Sequence, residues 1–237
     1  MRIQSATRRT TSNSTGNVLV VDDRSVFVPS WVNELQDFRR WAHSDDFPEN
    51  GNLCYFPSGV WIDMSTEQIF SHNQVKGEYN RVLGNITRVE NLGRYFPDGV
   101  LLTYPGAILS SQPDGLFVLY STLDAKRLRI IPGKREGFVE FEGAPDMVLE
   151  IVSTSSVKKD TEILRELYWK AGISEYWLVD ARSNVASFDI LRHAPKGYTA
   201  VRKADGWVKS KVFSRSFRLR QITDRRGLPD FVLDVRP

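Results

Sequence analysis

The sequence predicts an α/β fold: a mixed central sheet flanked by helices, with an N-terminal hairpin region and a C-terminal antiparallel meander. Short β-branched and aromatic runs recur along the chain and read as strands. Two longer segments place apolar residues at helical spacing. One of these, 160–170, lies between the apolar runs 147–152 and 176–179, so strand, helix and strand form a parallel crossover.

Residues 1–17 are basic and rich in Ser and Thr, with no apolar signal-peptide core behind them. They are expected to form a disordered tail ahead of a single domain over 18–237. Val18-Leu-Val-Val and Ser25-Val-Phe-Val flank Asp22-Asp-Arg and suggest a hairpin. Residues 31–43 read as a short amphipathic helix, and the runs 53–56 and 60–64 flank Pro57-Ser-Gly59 as a second hairpin. Over 71–92, Val75, Tyr79, Val82, Leu83, Ile86 and Val89 recur at helical spacing, giving a long helix with one face on the core.

The runs beginning at Gly99, Ala107 and Gly115 read as successive strands, and the charged, Gly-punctuated stretch 121–143 as an excursion off their sheet. Asp160 is expected to cap the 160–170 helix, Gly172 to stop it, and Ile163, Leu164, Leu167, Tyr168 and Ala171 to face inward. The segments 187–191, 198–201 and 208–217 form the meander, which carries basic residues. No internal repeat and no interior linker divides the chain.

With 41% apolar and 26% charged residues, the chain can bury a sizeable core. No apolar run approaches the roughly 20 residues that span a bilayer. A lone cysteine, Cys54, excludes an internal disulfide framework and a cysteine zinc cage, and points to a reducing, cytoplasmic setting. The formal charge of +3 is small, so the placement of the basic runs matters more. Lys126-Arg-Leu-Arg, Lys134-Arg135, Lys158-Lys159 and the arginines 215, 218, 220, 225 and 226 are each either phosphate contacts or solvated faces.

The chemistry concentrates between residues 112 and 182. Asp114 opens one strand and Glu150 sits inside another, flanked by Val148, Leu149, Ile151 and Val152. A carboxylate in a central strand is costly without a partner, and two beside one sheet suggest a shared divalent cation. Phosphodiester hydrolysis needs such a cation, magnesium or manganese, to neutralise charge and activate water. Weaker carboxylate candidates are Glu78, on the long helix, and Asp146, which more simply starts a strand. His72, His43 and His193 show no metal-ligand spacing, and a local hydrogen bond suits His72 better. Tyr168, Tyr176 and Trp177 have core spacing rather than that of a base-stacking platform. Ser153-Thr-Ser-Ser156 lacks a nucleophile elbow and is expected to satisfy backbone groups. No Walker-type loop is present.

Pro113-Asp114, Glu150, Ser153-Thr-Ser-Ser156, Asp160 and Tyr168-Trp-Lys-Ala-Gly-Ile-Ser-Glu-Tyr-Trp-Leu-Val-Asp180 together resemble the Uma-two restriction-endonuclease family of the PD-(D/E)XK nuclease superfamily. The resemblance extends back to Gly59-Val-Trp-Ile-Asp-Met and His72, and forward through Phe213-Ser-Arg-Ser-Phe. It implies a metal-dependent, restriction-endonuclease-like core with Asp114 and Glu150 as metal ligands; Mg²⁺ or Mn²⁺ is the expected cofactor, the Ile151 carbonyl a further expected ligand, and DNA, double-stranded, the expected substrate. A homodimer suits cutting of both strands. The superfamily's lysine would stand at position 152 or 164, where this chain has Val152 and Leu164. Lys159 or Lys158 is the replacement expected. Two further readings stay open: a DNA-binding or scaffold protein on a nuclease fold, and a metal hydrolase for another phosphate ester.

Overall fold

The apolar runs fold into strands and the 3.6-period segments into helices, in a computed structural model that describes residues 9–13, 16–21, 24–133 and 137–237. The rest of the expected tail, and the basic pair Lys134-Arg135, lie outside the described residues, as do Asp22 and Asp23 of the first hairpin turn. The chain falls into two compact units, each assembled from separate stretches of sequence.

The first unit takes the described residues within 1–66, 100–112 and 129–143. Arg9–Asn13, Gly16–Val21 and Arg24–Pro29 form a three-stranded antiparallel sheet, which contains the expected first hairpin. A six-stranded sheet runs Leu128–Pro132, Phe138–Gly143, Leu101–Tyr104, Leu109–Ser111, Asn52–Phe56, Gly59–Asp63. Its last two strands are the second hairpin, paired about Pro57-Ser-Gly59. The helix Leu35–Ala42 buries Leu35, Phe38 and Trp41 against Val28, Leu53 and Tyr55. The 121–143 stretch is more ordered than its composition suggests. Tyr120–Asp124 is a short helix, and Phe138–Gly143 pairs in parallel with Leu101–Tyr104. Part of its charge is spent inside the fold: buried Glu140 accepts two hydrogen bonds from Arg39, at 2.8 and 3.1 Å.

The second unit holds the functional candidates. Its sheet runs Gly197–Ala200, Ser187–Ala194, Glu175–Asp180, Met147–Ile151, Gly115–Leu119, Gly93–Pro97. Met147–Ile151 is parallel to Glu175–Asp180 and antiparallel to Gly115–Leu119, so the sheet is mixed as expected. One face packs on the helix Val75–Glu90 through Val75, Tyr79, Leu83 and Ile86. Val89, in that helix's last turn, is exposed instead. The other helix begins earlier than expected, with a π-helical turn over Lys159–Ile163 ahead of Leu164–Lys170. Asp160 is therefore inside the turn and is not its cap. Gly172 does stop the helix: at φ +79° it brings the Ile173 N–H back to the Tyr168 carbonyl at 3.2 Å.

The meander divides. Ser187–Ala194 and Gly197–Ala200 extend the main sheet, while Val208–Lys209, Ser216–Thr223 and Pro229–Arg236 form a separate antiparallel sheet. The last strand was not anticipated. Among the described residues, no helix is long and apolar enough to cross a membrane.

Candidate active site

Alternation along Met147–Ile151 sends Met147, Leu149 and Ile151 into the core shared with the long helix. Glu150 therefore projects from the opposite face. It is 1% exposed. Its Oε1 accepts the Tyr168 hydroxyl at 2.7 Å, and its Oε2 lies 3.5 Å from the Lys159 ammonium. The same ammonium is 3.0 Å from Asp160 Oδ1, while Asp160 Oδ2 accepts the Ser156 hydroxyl. The serines between strand and helix tie off the backbone: Ser153 N–H donates to Ser156 Oγ at 2.9 Å, and Ser156 N–H to Ser153 Oγ at 3.1 Å.

Asp114 arrives from the neighbouring strand. The ladder between the two strands ends at Leu149 opposite Gly115, which leaves the Ile151 amide beyond it. Asp114 Oδ2 takes that hydrogen at 2.7 Å. Gly115 is needed for close approach rather than for a turn, since a Cβ there would lie 2.3 Å from the Tyr95 hydroxyl. That hydroxyl in turn donates to Asn80 at 2.8 Å.

A third group comes from the start of the long helix. A π-helical turn, Ile69–Gln74, carries His72, whose Nε2 is 3.4 Å from Asp114 Oδ2. His72 Nδ1 is buried without a hydrogen-bond partner, 3.6 Å from Glu67 Oε2. Lys76, one turn on, bonds Glu67 and also Asp98 at 2.8 Å, and lies 3.8 Å from Asp114 Oδ1. One donor atom each from Glu67, His72 and Asp114 lie within 4.8 Å of one another.

The electrostatics separate the two central carboxylates. Burial pushes Glu150 well above the usual glutamate range; Lys159 and the Tyr168 bond oppose this, but the charges of Asp160 and Asp114 reinforce it. Burial would raise Asp114 as well. There the His72 hydrogen bond and charge, then Lys159 and the Ile151 amide, hold the group below its ordinary value. His72 is raised: burial alone would lower it, and Asp114 and Glu67 outweigh that. Oxygen-rich, partly uncompensated negative charge suits a hard divalent cation, and Glu150 is the group whose ionised form such a cation would most favour. The donor atoms of Glu67, His72 and Asp114 fit such a metal.

The family model described as "Putative restriction endonuclease" (Uma2) matches residues 35–233. The chain belongs to this family. The Uma2 member is also similar to a solved structure described as a putative nuclease belonging to DUF820 from Anabaena variabilis, with 18% identity and a TM-score of 0.57. The match covers 77% of this chain and 91% of that one, and it shows a shared fold. No curated protein matches the chain.

In this Uma2 protein the expected residues are distributed unequally. Asp114, Ile151, Glu150 and Lys159 come together. Lys158 is exposed at the start of the π-helical turn. Asp146 is occupied elsewhere, accepting the Leu119 N–H at 2.7 Å and the Thr122 hydroxyl at 2.9 Å. Glu78 is held by Arg81 and by the Leu233 N–H at 2.9 Å. Val152 and Leu164, the positions without lysine, are 1% and 0% exposed and belong to the apolar interior. Of the basic C-terminal run, Arg215 pairs with Glu90, and Arg218 and Arg220 with Asp234.

Lys76, Glu67 and Asp98 were not anticipated. Tyr168 was read as core, and it is both core and hydrogen-bond donor to Glu150. The signal for Lys76 was its spacing, four residues after His72 on one helix face.

Proposed function

We propose that this Uma2-family protein is a divalent-metal-dependent endonuclease that hydrolyses DNA phosphodiester bonds. The observation that supports the reading is the Asp114 carboxylate bonded to the Ile151 amide, next in the chain to Glu150, which is wholly buried and which that burial pushes well above the usual glutamate range. Asp114, Glu150 and the Ile151 carbonyl would hold Mg²⁺ or Mn²⁺. When bound, the metal supplies Lewis-acid charge for the scissile phosphate and lowers the pKa of an attacking water.

The chain's own groups do the rest. The Ile151 N–H fixes Asp114, and the Tyr168 hydroxyl orients Glu150. Lys159 steadies the negative charge that gathers at Glu150 and Asp160, and exposed Lys158 would contact an outer phosphate. Double-stranded DNA is the substrate class and a homodimer the working form, since duplex cleavage needs two sites. A reducing cytoplasm suits the lone, buried Cys54.

One observation favours a second reading. Val152 and Leu164 are packed into the interior with no ammonium at either position, which fits a protein that binds DNA on a nuclease fold without cutting it. Nicking of supercoiled plasmid with Mg²⁺ or Mn²⁺ separates the two. The nuclease reading expects metal-dependent cutting that Glu150→Gln abolishes and Lys159→Ala weakens. Equal inertness of wild type and Glu150→Gln, with salt-sensitive DNA binding retained, would establish the binding protein.

A further inference from the structure

Two lysine ammonium groups are buried within the site, and their surroundings differ. Lys159 is paired with Glu150 and Asp160, whose side chains are each 1% exposed. Behind them the Tyr176 hydroxyl closes on the Asp160 carbonyl at 2.8 Å. This is a sealed arrangement. Lys76 is itself only 8% exposed along its side chain, yet its partners Glu67 and Asp98 are 40% and 45% exposed. Asp114 thus has a dry side, toward the Ile151 amide, and a wet side, roofed by two solvent-reaching carboxylates with Lys76 beneath them.

A phosphodiester reaching Asp114 from solvent arrives on the wet side. Three acceptors, from Glu67, Asp98 and Asp114, surround the Lys76 ammonium, which has three N–H groups. Replacing the two exposed carboxylates by phosphate oxygens keeps it fully paired, whereas freeing Lys159 would strand two buried carboxylates. We propose that Lys76 is the cation that contacts the scissile phosphate, and that Glu67 and Asp98 hold its ammonium until a phosphate displaces them. The catalytic part rests on the nuclease reading above; the binding part does not.

The test is binding of a fluorescent duplex oligodeoxynucleotide in Ca²⁺ across a salt series, with circular dichroism to confirm folding. Lys76→Gln should weaken binding about tenfold and lower the log–log salt slope by about 1, while Lys76→Arg keeps the slope. Glu67→Gln with Asp98→Asn should tighten binding, and adding Lys76→Gln should cancel that gain. In Mg²⁺, single-turnover cleavage by Lys76→Gln should fall by about 10²-fold or more. Affinity and slope equal to wild type in Lys76→Gln overturn the proposal, as does a gain that persists without Lys76. Should Lys76→Gln not fold, the ¹⁵N signal of the wild-type Lys76 ammonium decides: it shifts as oligonucleotide is added, and an unmoved signal refutes the contact. Absence of cleavage by wild type counts against the nuclease reading alone, because these binding differences do not depend on turnover.

Discussion

Tyr168→Phe removes one oxygen and little else. The ring stays packed edge-on against Tyr176, with centroids 5.4 Å apart, so no cavity opens. What is lost is the 2.7 Å hydrogen bond to Glu150 Oε1. The remaining cation, Lys159, stands 3.5 Å from the other oxygen. Leaving a buried acceptor without its donor costs about 1–3 kcal/mol. For a chain of this size that is roughly a 2–12 °C fall in melting temperature. The tyrosine also favours the ionised carboxylate, so its loss raises Glu150 further and should weaken Mn²⁺ binding by about 10–100-fold. Urea melts and Mn²⁺ calorimetry, repeated on Glu150→Gln and on the double variant, measure both effects. The two changes should be strongly non-additive. A Tyr168→Phe protein with wild-type stability and Mn²⁺ affinity, or fully additive effects, would refute the link between this hydroxyl and Glu150 as the proposed metal ligand.

Three other outcomes follow from the same geometry. Gly115→Ala drives a methyl to 2.3 Å from the Tyr95 hydroxyl and should cost about 1–3 kcal/mol in urea melts, with a loss of nicking because Asp114 moves too. Glu142, which burial alone would raise, is instead held below its ordinary value of 4.5 by Arg129 and Arg39. A carboxylate depressed in the folded state stabilises fully above its unfolded pKa and loses that contribution as pH falls through the folded one, so Glu142→Gln should destabilise at neutral pH and little at about pH 3 in denaturant melts. Saturating Mn²⁺ should raise the melting temperature of wild type, by about 2.7 kcal/mol of stability at a hundredfold excess over Kd, and chelation should reverse it; Asp114→Asn should show no such rise.

The parts of the site legible in the sequence were those where local chemistry contradicts local pattern. Glu150 stands out because four apolar neighbours predict a buried strand, and Asp114 because it opens the next one. Lys159 was readable from the loop that must return to the strand end. Lys76 was readable only in its four-residue spacing from His72, because a lysine on an amphipathic helix normally marks the solvated face; its partners Glu67 and Asp98, 9 and 22 residues away, meet it only in the fold. The same tertiary context turned Asp160 from a cap into a buried ion-pair partner.

In the fold, the hairpins, the long helix and the parallel crossover followed from periodicity. The strands within 121–143 did not, because their charges are neutralised by partners such as Arg39 rather than by water. The Pro229–Arg236 strand had a readable signal. Phe231 and Leu233 are buried at alternate positions, while Asp234 faces Arg218 and Arg220.

The most direct test of the metal assignment is anomalous diffraction from a crystal grown with Mn²⁺. A peak bounded by Asp114, Glu150 and the Ile151 carbonyl is the predicted result. A peak at Glu67, His72 and Asp114 that leaves Glu150 bonded only to Tyr168 and Lys159, or no peak at either place, would contradict it.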